Sequence, residues 1–138
     1  MTNSGIAKSF VEDAKLSLRE GEQAFKDGFY HRTVRRCQEC VELSLKGLLR
    51  YFGIEYPKVH DVGSVVASVL KEKTDTEETQ ITKLMEISSR LAKDREPSFY
   101  GSETGEPAVS IFSEASAEQS MEEARYVLEF VNGMIGEQ

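Results

Sequence analysis

The chain has no apolar run approaching the ~20 residues that a membrane-spanning helix needs, which argues against a membrane protein. Its opening residues, MTNSGIAKSF, lack a basic segment followed by an apolar one. No secretory signal is expected, and a cytoplasmic location follows as the default. Its 138 residues hold only two cysteines and two histidines, so neither a disulfide framework nor a rich set of metal ligands is on offer. Basic side chains are nearly missing from the C-terminal part. Residues 101–138 contain eight acidic residues and one basic residue, Arg125, whereas residues 1–100 contain 16 of each. The acidic balance thus belongs to the C-terminal part, and a pI of about 4.9 argues against broad nonspecific binding of nucleic acid. It leaves room for a local basic site, which Arg32, Arg35, Arg36, Arg90, Lys93 and Arg95 can form.

What is present is helical periodicity. Hydrophobic residues make up 39% of the chain, enough for one core, and a single domain over residues 1–138 is expected. Ala7, Val11, Ala14, Leu18, Gly21 and Phe25 mark one face of a helix over about 4–26, which Asp27-Gly28 ends. Tyr30, Val34, Cys37, Val41, Leu45, Leu48 and Phe52 recur at steps of three and four, predicting a second helix over about 29–52 that Gly53 stops. Its other face carries His31, Arg35, Glu39, Glu42, Lys46 and Arg50 and reads as solvated. Asp61 is a good N-cap for a shorter third helix built on Val62, Val65, Val66, Val69 and Leu70. A fourth helix carries Ile81, Leu84, Met85, Ser88, Leu91 and Ala92, and Pro97 predicts its end. Residues 98–112 read as a loop. A fifth helix starts near Ser113 or Ser116, with Ala117, Met121, Ala124, Leu128, Val131 and Ile135 as a buried seam and Glu118, Glu122, Glu123 and Glu129 outside. The pattern is all-α, with no convincing strand.

Cys37 and Cys40 stand at the C-x-x-C spacing of redox or zinc motifs. Both fall inside a helical pattern, no strand precedes them, and no second pair exists. Core packing is the better reading, since free cysteine behaves as a small buried hydrophobe.

Two blocks carry a family resemblance: FYHRTVRRCQECVELSLKGLLRYFGIEYPKVHD over residues 29–61, and RLAKDREPSFYG over residues 90–101. A long second helix, a glycine, a Pro-Lys-x-His-Asp turn and a later Asp-Arg-x-x-x-Phe-Tyr-Gly segment resemble the HEPN family (higher eukaryote and prokaryote nucleotide-binding domains). The resemblance implies an up-and-down four-helix bundle with a short additional helix. It also implies a homodimer, or pairing with a nucleotidyltransferase subunit in a toxin–antitoxin-like system. Some members are metal-independent ribonucleases, in which an arginine and a histidine four to six residues later meet their copies across the dimer. Here Arg95 stands at the arginine position and Tyr100 where histidine would fit. Tyrosine, with an ordinary pKa of about 10, is a poor general base near neutral pH. The resemblance therefore implies binding of a nucleotide or RNA, with Arg95 on a phosphate, Tyr100 stacking, and Arg90, Lys93 and His60 lining the cleft. No cofactor and no metal are expected.

Two other readings fit parts of the sequence. A metal-dependent phosphohydrolase could use His31, the His60–Asp61 doublet and Asp75 or Asp94, although Asp61 as a helix cap and His60 on a nearby backbone group is the simpler account. A structural protein-interaction module is the third reading.

Overall fold

The apolar stripe predicted over 29–52 forms the central helix of the molecule. A computed structural model describes residues 2–136, and among these it contains six helices and no strand. They are α1 (Asn3–Lys26), α2 (Tyr30–Tyr51), α3 (Gly63–Lys73), α4 (Glu78–Tyr100), α5 (Ala108–Ile111) and α6 (Glu114–Gly136). The four long helices are each ~35 Å in length at 1.5 Å per residue. They run up and down, and α2 packs against α1, α4 and α6. The short α3 lies against α4.

Local chemistry sets the boundaries. Thr2 accepts a hydrogen bond from Gly5 N–H at 3.0 Å and caps α1. At the end of α2, Gly53 takes φ +75° while Gly53 N–H donates to Arg50 and Ile54 N–H donates to Leu49, both at 2.9 Å. This double closure is the Schellman ending that a residue without Cβ favours.

Along α2 the stripe residues Val34, Cys37, Val41, Leu45 and Leu48 are buried, and each fully buried leucine contributes roughly 1.5–3 kcal/mol. The seam of α6 is likewise core: Ala117, Met121, Ala124, Leu128, Val131 and Ile135 are all buried. Cys37 and Cys40 are free thiols inside this core. Burial pushes both thiols up, Cys40 to about 12, so neither is a thiolate at neutral pH.

Three expectations need correction. The fourth helix does not end before Pro97 but runs three residues past it to Tyr100. A proline this close to a helix end removes a single backbone bond, and Gly101, at φ +82°, closes the turn by donating to Pro97 O at 2.9 Å. The segment 98–112 is therefore not all loop: it begins inside α4 and holds the one-turn α5. And the charged face of α2 is not uniformly solvated, because α4 and the α2–α3 loop cover its middle, where the Lys46 and Glu42 side chains are 11% and 15% exposed.

Helices α1 and α2 approach closely at Gly47, where an added Cβ would lie 2.8 Å from Phe10 Cβ and 3.3 Å from Ala7 O. Helix propensity alone would favour alanine there by about 1 kcal/mol. Because the steric conflict involves the root of a side chain and a backbone oxygen, Gly47→Ala is expected to destabilise the fold by about 1–3 kcal/mol. Denaturant melts of the two proteins check this; equal or greater stability of the variant refutes it.

Candidate functional site

The C-terminal half of α4 and the loop between α2 and α3 enclose an open cleft of about 320 Å³, lined by His60, Ala92, Arg95, Glu96, Phe99 and Tyr100. The charged face of α2 lies beside it and holds its arginine through Gln38. Helices α2 and α4 run antiparallel there, which sets Arg35 beside Ser98 and Gln38 beside Arg95.

One connected network holds the cleft. Arg95 Nη1 donates to Gln38 Oε1 at 2.6 Å, and Gln38, only 2% exposed, donates through Nε2 to Glu42 Oε1 at 2.9 Å. The same Glu42 oxygen lies 2.9 Å from His60 Nδ1, and Glu42 Oε2 accepts from Lys46 Nζ at 2.8 Å. Lys46 in turn sits 4.9 Å from the centre of the Tyr56 ring. Burial works against an ionised Glu42, but hydrogen bonds from Lys46, Gln38 and His60 outweigh it and hold its carboxyl below the ordinary range.

A second set of contacts fixes the aromatic wall. The Arg35 guanidinium lies 3.9 Å from the centre of the Phe99 ring and donates to Ser98 O at 2.8 Å. Arg95 approaches the same ring at 5.3 Å. Ser98 Oγ donates to Arg95 O at 2.6 Å, which steadies the last turn of α4. Beyond it Tyr100 projects outward, 81% exposed.

The loop bearing His60 is pinned beside it. Asp61 Oδ1 accepts from Gly63 N–H at 3.0 Å and from Ser88 Oγ at 2.7 Å. The N-cap of α3 is Val62 rather than the expected Asp61; from one residue earlier Asp61 satisfies the first backbone N–H of the helix and ties its start to α4. His60 does not bond a backbone group, as the simpler sequence account has it; its partner is the Glu42 carboxylate.

Of the five residues expected to share a cleft, His60, Arg95 and Tyr100 come together. Arg90 and Lys93 do not. They border a separate shallow depression with Met85, Glu86 and Ser89. Arg90 is also neutralised, by Asp94 at 3.5 Å and by an ion pair with Glu123 of α6. The helical step explains this: positions 90 and 93 face away from 95 and 99. The outer face of α6 is correspondingly less acidic than its sequence suggests, since Glu123 turns inward to Arg90.

The set His31, His60 and Asp61 is not assembled. His60 sits at Glu42, eleven residues beyond His31 along α2, a rise of roughly 16 Å. Asp94 is engaged with Arg90. Among the described residues no three His, Cys, Asp or Glu side chains form a group that could hold a metal ion. Nor is any helix among them long and apolar enough to cross a membrane.

Gln38 and Phe99 are not among the residues the sequence marks for the site, and Glu42 stands there only as part of a solvated face. The i, i+4 ladder Gln38–Glu42–Lys46 was the available signal.

The bundle and its cleft can be set beside known proteins. The family model described as the HEPN domain matches residues 7–134. The chain belongs to the HEPN family. A HEPN-type bundle recurs in two solved structures that share this fold. TT1696 from Thermus thermophilus superposes with a TM-score of 0.78 at 24% identity, covering 92% of this chain and 96% of that one. ST0689, described as an archaeal HEPN homologue, gives a TM-score of 0.71 at 23% identity, covering 94% and 97%. The chain is also 26% identical over 141 residues, 98% of its own length and 91% of the relative's, to a Methanocaldococcus jannaschii protein named "Putative toxin MJ1304".

The network around Glu42 gives a checkable outcome. A carboxyl held below its unfolded pKa of about 4.3 contributes stability that is present above that value and lost as pH falls through the folded value. Glu42→Ala leaves Lys46 and Gln38 short of a partner and is expected to cost about 1.5–3 kcal/mol at pH 7, with a smaller cost at pH 3. Urea melts at the two pH values measure both; a pH-independent difference contradicts the assignment.

Proposed function

We propose that this HEPN domain binds a nucleotide or single-stranded RNA in the cleft beside Arg95. The carrying observation is the presentation of Arg95. Its guanidinium is fixed on one side by the buried Gln38, and it shares an open cleft with His60 and the exposed ring of Tyr100. A fixed guanidinium suits a phosphate, through charge-assisted hydrogen bonds. An outward aromatic beside it suits a base, by stacking that tolerates any sequence. Within α4 the pair supplies binding and charge stabilisation but no group that accepts a proton near pH 7.

The similarity to a protein named as a toxin supports a place in a toxin–antitoxin-like system. There the domain acts as a homodimer or with a nucleotidyltransferase partner. Two copies meeting at this face would bring two Arg95–Tyr100 pairs together.

Fluorescence anisotropy of a short labelled RNA tests the reading, with unlabelled AMP as competitor. Saturable binding is expected, weakening with salt. Arg95→Ala should weaken it about tenfold to a hundredfold, the equivalent of a charge-assisted hydrogen bond of ~1.5–3 kcal/mol. Tyr100→Ala, which removes an exposed ring and so spares the fold, should weaken RNA by a comparable factor. Absence of saturable binding, or unchanged affinity in both variants, refutes the proposal.

A further inference from the structure

Resting on the reading of this cleft as a nucleotide site, we infer that it continues past Tyr100 into a second phosphate subsite made by Arg35 and Arg32. Its ligand then carries a phosphate on both sides of one nucleoside, as any inner segment of single-stranded RNA does. The arginine cluster at the start of α2 is otherwise left without a role, since the cleft around Arg95 does not include it.

The two subsites share a wall. The Arg35 and Arg95 guanidinia lie 3.9 and 5.3 Å from the centre of the same Phe99 ring. A single side chain therefore spaces the two cations, an interval that one nucleoside bridges. Tyr100 belongs to both sides. It lines the cleft with Arg95, and it lies within electrostatic reach of Arg35. A base stacked on its exposed ring would present one phosphate to each arginine.

The periodicity of α2 makes the track continuous. Gln38 holds Arg95, Arg35 stands three residues before Gln38, and Arg32 three before Arg35. Residues at that spacing are neighbours on one helix face.

The cations of this second subsite are available. Arg36 is engaged, with Glu39 at 2.8 Å and Glu20 at 3.9 Å. Glu39, a carboxylate within reach of Arg35, is thereby turned to Arg36. Arg32 is exposed and its side chain forms no ion pair among the described residues. Arg35 spends Nη2 on Ser98 O and leaves its other donors unbonded. Like charges one turn apart repel, and the neighbouring His31 registers this. Burial first, then Arg35 and Arg32, hold its pKa below the ordinary value, and its buried Nδ1 has no partner. A phosphate seated between the arginines relieves that repulsion.

The test titrates the full chain with 5′-AMP and with adenosine 3′,5′-bisphosphate by calorimetry. The bisphosphate is expected to bind about tenfold more tightly or better, the worth of one further charge-assisted contact. Arg35→Gln and Arg32→Ala should each remove most of that advantage and leave AMP affinity unchanged. Lys93→Ala removes an exposed cation outside the cleft and should preserve the advantage. NMR titration of His31 gives an independent readout. The bisphosphate should raise its pKa, because an anion beside it offsets Arg35 and Arg32, and AMP should not. Equal affinity for the two ligands overturns this inference and leaves the Arg95 site standing. So does an advantage that survives both arginine variants, one that Lys93→Ala removes equally, or a His31 pKa that the bisphosphate does not move. Failure of both ligands and of RNA to bind overturns the reading of the cleft itself.

Discussion

A largely covered carboxylate organises this molecule. Glu42 would be costly beneath α4 and the α2–α3 loop if its oxygens were unpaired, because a desolvated charge without partners is among the least favourable groups a fold can hold. Here both oxygens are used, by Lys46, Gln38 and His60. Removing any partner leaves the others short, which makes the network stiff as well as stable. The register between α2 and α4, the seat of the loop and the direction of Arg95 all follow from it. Arg35 on Ser98 and Phe99 repeats the same lock one helical turn away.

The bundle was legible in the sequence because it rests on periodicity, and periodicity is a local signal. Val34, Cys37, Val41, Leu45 and Leu48 could be placed on one face without knowing what covers them. The cleft was legible only in part. Arg95, Tyr100 and His60 came from family resemblance, and the bundle brings them together. Arg90 and Lys93 were drawn in by closeness along the chain, whereas a helix turns neighbouring positions to different sides. The roles of Gln38 and Glu42 depend on groups brought from residues 60 and 95, and spacing within α2 carries no trace of those. The end of α4 was misjudged at Pro97 because the closing bond belongs to Gly101, four residues later.

Membership of the HEPN family accounts for the scaffold but not for the departures within it. The helical layout is shared with TT1696 and ST0689 at identities of 24% and 23%. Such identities preserve a core pattern while leaving surface chemistry free to differ. In this chain the polar face of α2 supports the cleft, through a buried amide and a largely covered carboxylate. The paired Arg90 and Glu123 meanwhile fasten α4 to α6 on the opposite side and leave Arg95 as the cleft's own guanidinium.

The ending of α4 separates two demands that proteins often load onto the same residue. Gly101 closes the helix through its backbone, and a Cβ there would run into Glu106 O, so the turn tolerates nothing larger. Tyr100, one position earlier, stands out in solvent and its side chain closes nothing. The fold thus constrains residue 101 tightly and residue 100 hardly at all. Position 100 is consequently a site of low evolutionary resistance: its side chain can be exchanged in one step, for a base, an acid or a stacking ring, with the bundle unchanged beneath it.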